Sequence, residues 1–172
     1  MKRYPEKISD HSVWISTTPT EAGSAFPFYA AEAGRFYAET GYEVRRPFHE
    51  SCLLLYTLSG SGAVQTGQNR FRLPAGYAAL IDCRKPHSYR CEQDSWEFLW
   101  FHLLGKQILQ LLPLLFPVCP AAVRPENPAE FESRLDWLLQ KIPENDLLSL
   151  SEVSETFHAL FTSLLRGSLE TE

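Results

Sequence analysis

The feature that most constrains this chain is a switch in apolar periodicity at Gly105. Upstream, apolar residues alternate with polar ones or form short runs, each closed by Gly, Pro or a polar turn. Downstream the stretches are longer, leucine-rich and spaced by three or four. A period of two marks a strand with one buried face, and a period near 3.6 marks a helix packed on one side. The chain therefore reads as a mainly β domain followed by helices. Its 172 residues suit one domain with a helical appendage.

Strands are expected at Phe26–Glu32, Tyr42–Arg46, Cys52–Ser59, Ala63–Thr66, Arg70–Leu73, Ala78–Asp82, Ser88–Cys91 and Trp96–Leu104. One more, Ser12–Thr17, falls in a mobile N-terminal arm of residues 1–24. Ser59-Gly60-Ser61-Gly62, Gly67-Gln68-Asn69 and Pro74-Ala75-Gly76 mark turns. Many short strands with glycine turns argue for a sandwich or barrel. There is no internal repeat and no low-complexity segment.

Three helices follow. Gln107–Leu115 is short and ended by proline. Asn127-Pro128-Ala129-Glu130 is a helix start, with Asn as N-cap, Pro at N1 and Glu at N3. Apolar residues then recur at Phe131, Leu135, Leu138, Leu139 and Ile142 until Pro143. The last helix starts at Asn145 or Asp146 and runs to Arg166, with Gly167 as its C′ residue. Leu150, Val153, Phe157, Leu160 and Leu164 form one stripe on it; Leu147, Phe161 and Leu165 form a second. One stripe covers the β domain or the preceding helix. The other is left for a second copy, so a homodimer through Leu150, Val153, Phe157, Leu160 and Leu164 is expected, unless one subunit buries both.

The formal net charge is −5, and basic residues are scattered, with Arg45-Arg46 and Arg84-Lys85 the densest pairs. No basic face is expected, so this chain alone should not bind DNA well. Cys52, Cys83, Cys91 and Cys119 lack C-x-x-C spacing and read as reduced core thiols. The segment MKRYPEKISDHS has no apolar h-region, and the run from Ile108 to Val118 is too short and interrupted to span a bilayer. A soluble, cytoplasmic protein is expected, with no membrane partner.

The motifs that carry a reading are LLLYTLSGSG (residues 53–62), PAGYAALI followed by DCRKPHSY (74–89), and WEFLWFHLLG (96–105). At these residues the sequence resembles the N-terminal sensing domain of the AraC/XylS family of bacterial transcription regulators. The resemblance implies a cupin-like double-stranded β-barrel (jelly roll) over residues 25–105, followed by a C-terminal helical pair within a dimerisation region over residues 106–172. It further implies that the barrel binds a small-molecule effector, and that a C-terminal helix-turn-helix domain, absent from this chain, reads the DNA. On that basis the chain is taken as a fragment ending where a linker would begin.

Strand alternation places Trp96, Phe98, Trp100 and His102 on one face and Glu97, Leu99, Phe101 and Leu103 on the other. The resemblance turns the Phe98 and Trp100 face toward the cavity. His87 and Tyr89 share a face, as do Thr57 and Ser59. The candidate ligand-binding residues are Thr57, Ser59, His87, Tyr89, Phe98, Trp100 and His102. Ring faces with hydroxyl, phenol and imidazole groups suit a small polar ligand with an apolar ring, such as a sugar. By the resemblance, Tyr89 and Trp100 match pocket residues of the arabinose-binding member. Ser59 and Phe98 stand where that member has a basic residue and a histidine, so an effector other than arabinose is expected. Arg46 reads as a rim residue, and His11 and Trp14 of the arm are placed to fold over the pocket, as arms do in that family.

His87 stands where metal-binding cupins keep a histidine. The remaining ligands, typically an H-x-H pair and a carboxylate, have no counterpart beyond the lone His49. No metal, no cofactor and no enzymatic activity are expected, since no catalytic triad, phosphate loop or acid pair is placed by spacing. The rival readings are a small metal-dependent cupin enzyme and a protein-interaction cupin whose barrel its own side chains fill.

Overall fold

Two long strands carry the architecture. β4 (Cys52–Thr66) and β7 (His87–Leu104) span 15 and 18 residues and pair antiparallel through both of their halves. The computed structural model describes residues 7–170. The other strands are β1 (Val13–Ser16), β2 (Tyr29–Glu39), β3 (Glu43–Arg46), β5 (Asn69–Pro74) and β6 (Ala78–Asp82), and α1 (Glu21–Ala25) follows β1. Cys52–Thr57 of β4 and Phe98–Leu103 of β7 lie between β2 and β6, with β1 outside β2. Gly62–Thr66 and His87–Cys91 lie between β3 and β5. The sheet is thus mainly antiparallel and folds over on itself where β4 and β7 bend.

The sequence divides each of these strands in two. Ser59-Gly60-Ser61-Gly62 bends the chain without reversing it, since the register shifts between Thr57 and Ser59 and again between Gly60 and Gly62. Gly60, at φ 72, lies in the left-handed region, and bulges of this kind sharpen a strand's bend without ending its pairing. β2 also runs past the expected end at Glu32, through Gly34, to Glu39.

Alternation then builds two apolar layers. Leu53, Leu55, Phe36, Trp96, Phe98 and Trp100 point into the fold, where they meet Val64, Leu73, Tyr89 and Cys91 from the other half. Leu54, Tyr56, Leu99, Phe101 and Leu103 point outward and are covered by helices. Each such fully buried side chain contributes about 1.5–3 kcal/mol relative to exposure. All four cysteines are buried and free.

The covering helices are α2 (Lys106–Leu115), α3 (Pro128–Lys141) and α4 (Leu147–Glu170), with a 3-10 turn at Ile142–Glu144. Pro113 lies inside α2 and does not end it. A proline leaves the carbonyl four residues earlier unpaired, and the Leu109 carbonyl accepts instead from Arg84 Nη2 at 3.5 Å. α3 begins as its sequence specifies: the Asn127 side chain accepts from the Glu130 N–H at 3.2 Å, and Pro128 opens the first turn.

α4 departs from expectation in two ways. It continues through Gly167 to Glu170. A Cβ on Gly167 would stand 2.1 Å from the Arg124 carbonyl oxygen, so this glycine admits a neighbouring loop and is not a helix stop. More consequentially, Leu150, Val153, Phe157, Leu160 and Leu164 are between 0% and 6% exposed within the single chain. These five residues, expected at a dimer interface, are interior. Val153, Phe157, Leu160 and Leu164 join the core that covers the outer sheet face, and Leu150 packs with Tyr29 and Ala31. The outer face of β4 and β7 is itself apolar and takes α4 as its cover, so a second copy cannot reach that stripe. Phe161 of the second stripe is buried too, whereas Leu147 is exposed.

Candidate ligand-binding site

The interior of the folded sheet is filled at one end and open at the other. At the filled end Trp96 stacks on Phe98 with ring centroids 3.8 Å apart, and both side chains are fully buried. The Trp96 indole N–H donates to Thr57 Oγ1 at 2.9 Å, and the Thr57 hydroxyl donates to the Leu73 carbonyl at 2.8 Å. Thr57 and Phe98, expected to touch ligand, are core residues whose groups are already satisfied. Ser59 lies on the outside, where its hydroxyl donates to Glu97 at 3.2 Å. The register shift after Thr57 places Ser59 opposite Glu97 while Thr57 stays opposite Phe98. One extra residue therefore moves Ser59 to the other face.

At the open end the structure brings Tyr89, Trp100 and His102 together. They line a cavity of ≈ 50 Å³ with Trp14, Glu32, Phe36, Tyr42, Val44 and Arg46. Each wall has a local cause. Glu32 lies opposite His102 across β2 and β7; Val44 and Arg46 of β3 lie opposite Tyr89 and His87. Trp14 comes from β1 and meets Trp100 and Phe36 edge-on, with centroids 6.1 and 6.0 Å apart. Position 34 must be glycine for Trp100 to lie where it does, because a Cβ there would stand 2.6 Å from Trp100 Nε1. The same Cβ would stand 2.5 Å from the Val13 carbonyl oxygen of β1, so we expect Gly34→Ala to displace both the edge strand and the indole and to cost roughly 1–3 kcal/mol, read as a lower urea midpoint with altered tryptophan fluorescence.

The polar groups are those of a site left partly unsatisfied. Trp100 Nε1 is buried without a hydrogen-bond partner; His87, expected to touch ligand, is not among the residues that line this cavity, and its Nε2 is likewise buried without a partner. The other His87 nitrogen lies 2.9 Å from the Lys85 carbonyl. A carbonyl only accepts, so Nδ1 carries a proton. Ser51 Oγ sits between two imidazoles, 2.7 Å from His49 Nδ1 and 2.9 Å from His102 Nδ1. One hydroxyl proton serves only one of these, so the other ring must hold its proton on Nδ1 and donate. Burial, reinforced by His49, Arg46 and His87, lowers the His102 pKa from 6.5 to about 3. Burial also pushes the Tyr89 phenol up to about 12. At neutral pH the His102 imidazole and the Tyr89 phenol are therefore neutral, and Glu32 and Arg46 line the cavity beside them. Among the described residues, no group of three His, Cys, Asp or Glu side chains is gathered that could hold a metal ion.

Residues 29–166 match the family profile described as the AraC-like ligand binding domain. The chain belongs to that family. No curated protein matches the sequence. Among solved structures, an HTH_3 family transcriptional regulator from Vibrio cholerae is 13% identical, with 58% of this chain and 57% of that one covered at a TM-score of 0.45. The Cupin_2 domain of an XRE family transcriptional regulator from Enterobacter cloacae is 16% identical, covering 53% and 94% at 0.41. A predicted oxalate decarboxylase from Thermotoga maritima is 21% identical, covering 44% and 67% at 0.40. As an AraC-like ligand binding domain the chain has a mainly antiparallel sheet with cupin-fold neighbours, and no described helix is long and apolar enough to cross a membrane.

Of the cavity residues of this AraC-like domain, Glu32, Phe36, Tyr42 and Val44 were not singled out from sequence. Phe36 lay beyond the expected end of its strand. Glu32 gave no sign of facing inward, because an irregularity in the pairing between Ala30 and Glu32 sets its face.

Proposed function

We propose that this chain is the effector-sensing part of a transcription regulator, and that a small molecule binds at the open end of the folded sheet. In this reading the sheet of residues 25–105 is a double-stranded jelly-roll barrel, residues 1–24 are an arm over its mouth, and residues 106–172 supply the helical pair. Residues 1–6 of that arm and residues 171–172 of the helical region lie outside the described residues. The observation that carries the reading is the cavity walled by Trp14, Phe36, Tyr42, Tyr89 and Trp100, with Glu32, Arg46 and His102 among its polar groups.

At ≈ 50 Å³ the cavity has room for water and not for a sugar, since small-molecule sites span roughly 300–1,000 Å³. The wall that can yield is Trp14, held on a four-residue edge strand that, among the described residues, pairs with β2 alone. A ligand that takes its place against Trp100 binds the open form alone and shifts the population toward it. A sugar or related metabolite fits this reading: a ring face for Trp100, hydroxyls for Glu32, Arg46 and the Trp100 indole N–H. No chemical step is assigned, and the domain acts by binding. Self-association, if it accompanies sensing, uses a surface other than the buried α4 stripe. DNA is contacted through a separate helix-turn-helix domain, in the cytoplasm.

The small volume favours one rival, a module whose interior its own side chains fill. A thermal-shift screen of sugars and related metabolites separates the two. A ligand at a hundredfold its Kd adds about 2.7 kcal/mol, a rise in Tm of roughly 5–10 °C. Under the sensing reading that rise vanishes in Trp100→Ala. If no compound raises Tm, or the same compound raises it equally in the variant, the filled module stands instead.

A further inference from the structure

The outward face of β3, β5 and the adjoining halves of β4 and β7 collects arginines that the sequence keeps far apart. Alternation turns Glu43, Arg45, Ser88, Arg90, Ala63, Gln65, Arg70 and Arg72 away from the aromatic interior, and a groove of ≈ 420 Å³ opens among them. The register lays them out in two rows. Arg45 is opposite Ser88, Ser88 opposite Gln65, and Gln65 opposite Arg70. Glu43 is opposite Arg90, Arg90 opposite Ala63, and Ala63 opposite Arg72. Neighbouring strands lie about 4.8 Å apart, so the small side chains of Ala63 and Ser88 form a floor between arginine arms. The register thus gathers on one face four arginines that are scattered along the chain.

Two of these arginines are already engaged: Arg45 pairs with Glu43, and Arg72 with Glu92, each at 2.8 Å. Arg70 and Arg90 have no ion pair among the described residues, although both line the groove. A protein of net charge −5 has no general need for unpaired cations on a rigid sheet. We propose that this face is a second ligand site, for a compact anion carrying several phosphate groups. Arginine's planar fork pairs bidentately with phosphate oxygens, and a polyphosphate outcompetes the single carboxylates of Glu43 and Glu92 for Arg45 and Arg72. The groove has the size of a small-molecule site, and the one aromatic on its lining, Phe71, is partly buried against the interior cluster, so the groove is dominated by charged and polar side chains and not by the aromatic anchors of stable protein interfaces. An extended nucleic acid would also meet the acidic remainder of the chain, whereas a short polyanion keeps its charge within the patch.

Titration calorimetry of the chain with inorganic tripolyphosphate at low ionic strength tests the site. The expected result is saturable one-to-one binding that weakens with added salt and falls at least about tenfold in the double variant R70Q/R90Q. An unchanged Tm of the double variant shows that its fold is kept. The proposal is overturned by the absence of saturable binding, by equal binding in R70Q/R90Q, or by tighter binding of a DNA duplex or poly-glutamate than of tripolyphosphate.

Discussion

Phe157→Ala is expected to cost the folded chain about 3–5 kcal/mol, the range for truncating a buried phenylalanine. The Phe157 side chain is fully buried, and its ring meets Phe101 edge-on at 5.9 Å. It belongs to the core that fastens α4 to the outer face of β4 and β7. Removing the ring leaves a void between a helix and a sheet that other side chains pin in place, so little can collapse into it. Against a typical domain stability of about 5–15 kcal/mol, the loss is a large share of the total. Urea denaturation followed by circular dichroism measures it. Had the stripe been an interface, the same variant would keep its urea midpoint and lose mass in sedimentation. A folded, fully stable, monomeric Phe157→Ala from a dimeric parent would therefore overturn the placement of α4 described above.

What the sequence made legible is what one strand or one helix decides alone. The alternation from Trp96 to Leu103 correctly separated the inward rings from the outward Leu99 and Phe101, because side-chain direction within a strand is local. The Asn127 cap and the helix it opens were equally local. What escaped was set between strands. Ser59 was expected to share a face with Thr57, and a single irregularity in the pairing reversed it. Arg45, Arg70, Arg72 and Arg90 looked scattered because cross-strand register, invisible in one sequence, is what gathers them. The α4 stripe was correctly seen as apolar and wrongly assigned a partner: an apolar face states that it must be covered, not by what. Trp14 and Arg46 were recognised as neighbours of a mouth, but Glu32 became one only through a pairing irregularity.

The second large effect expected is acid sensitivity centred on His102. In the folded chain its pKa lies at about 3, against 6.5 when free in water. The foremost cause is burial, followed by the nearby His49, Arg46 and His87. Above pH 6.5 the ring is neutral in both folded and unfolded chains and contributes no pH dependence. Between pH 6.5 and about 3 the unfolded chain binds a proton that the folded chain refuses, so stability must fall as pH falls. The slope approaches about 1.4 kcal/mol for each pH unit, and over this window the loss reaches several kcal/mol, comparable to the cavity made in Phe157→Ala. His102→Gln removes the titrating ring and keeps an acceptor or donor for Ser51, so its stability should decline less steeply across the same interval. Carboxylates such as Asp82, whose pKa the bonded Arg84 holds down against burial, titrate alike in both proteins and cancel in the difference. The measurement is the urea midpoint of parent and variant from pH 7 to pH 4. Curves that stay parallel would mean that His102 charges freely in the native state, and that the wall it forms with Ser51 and His49 is open to water.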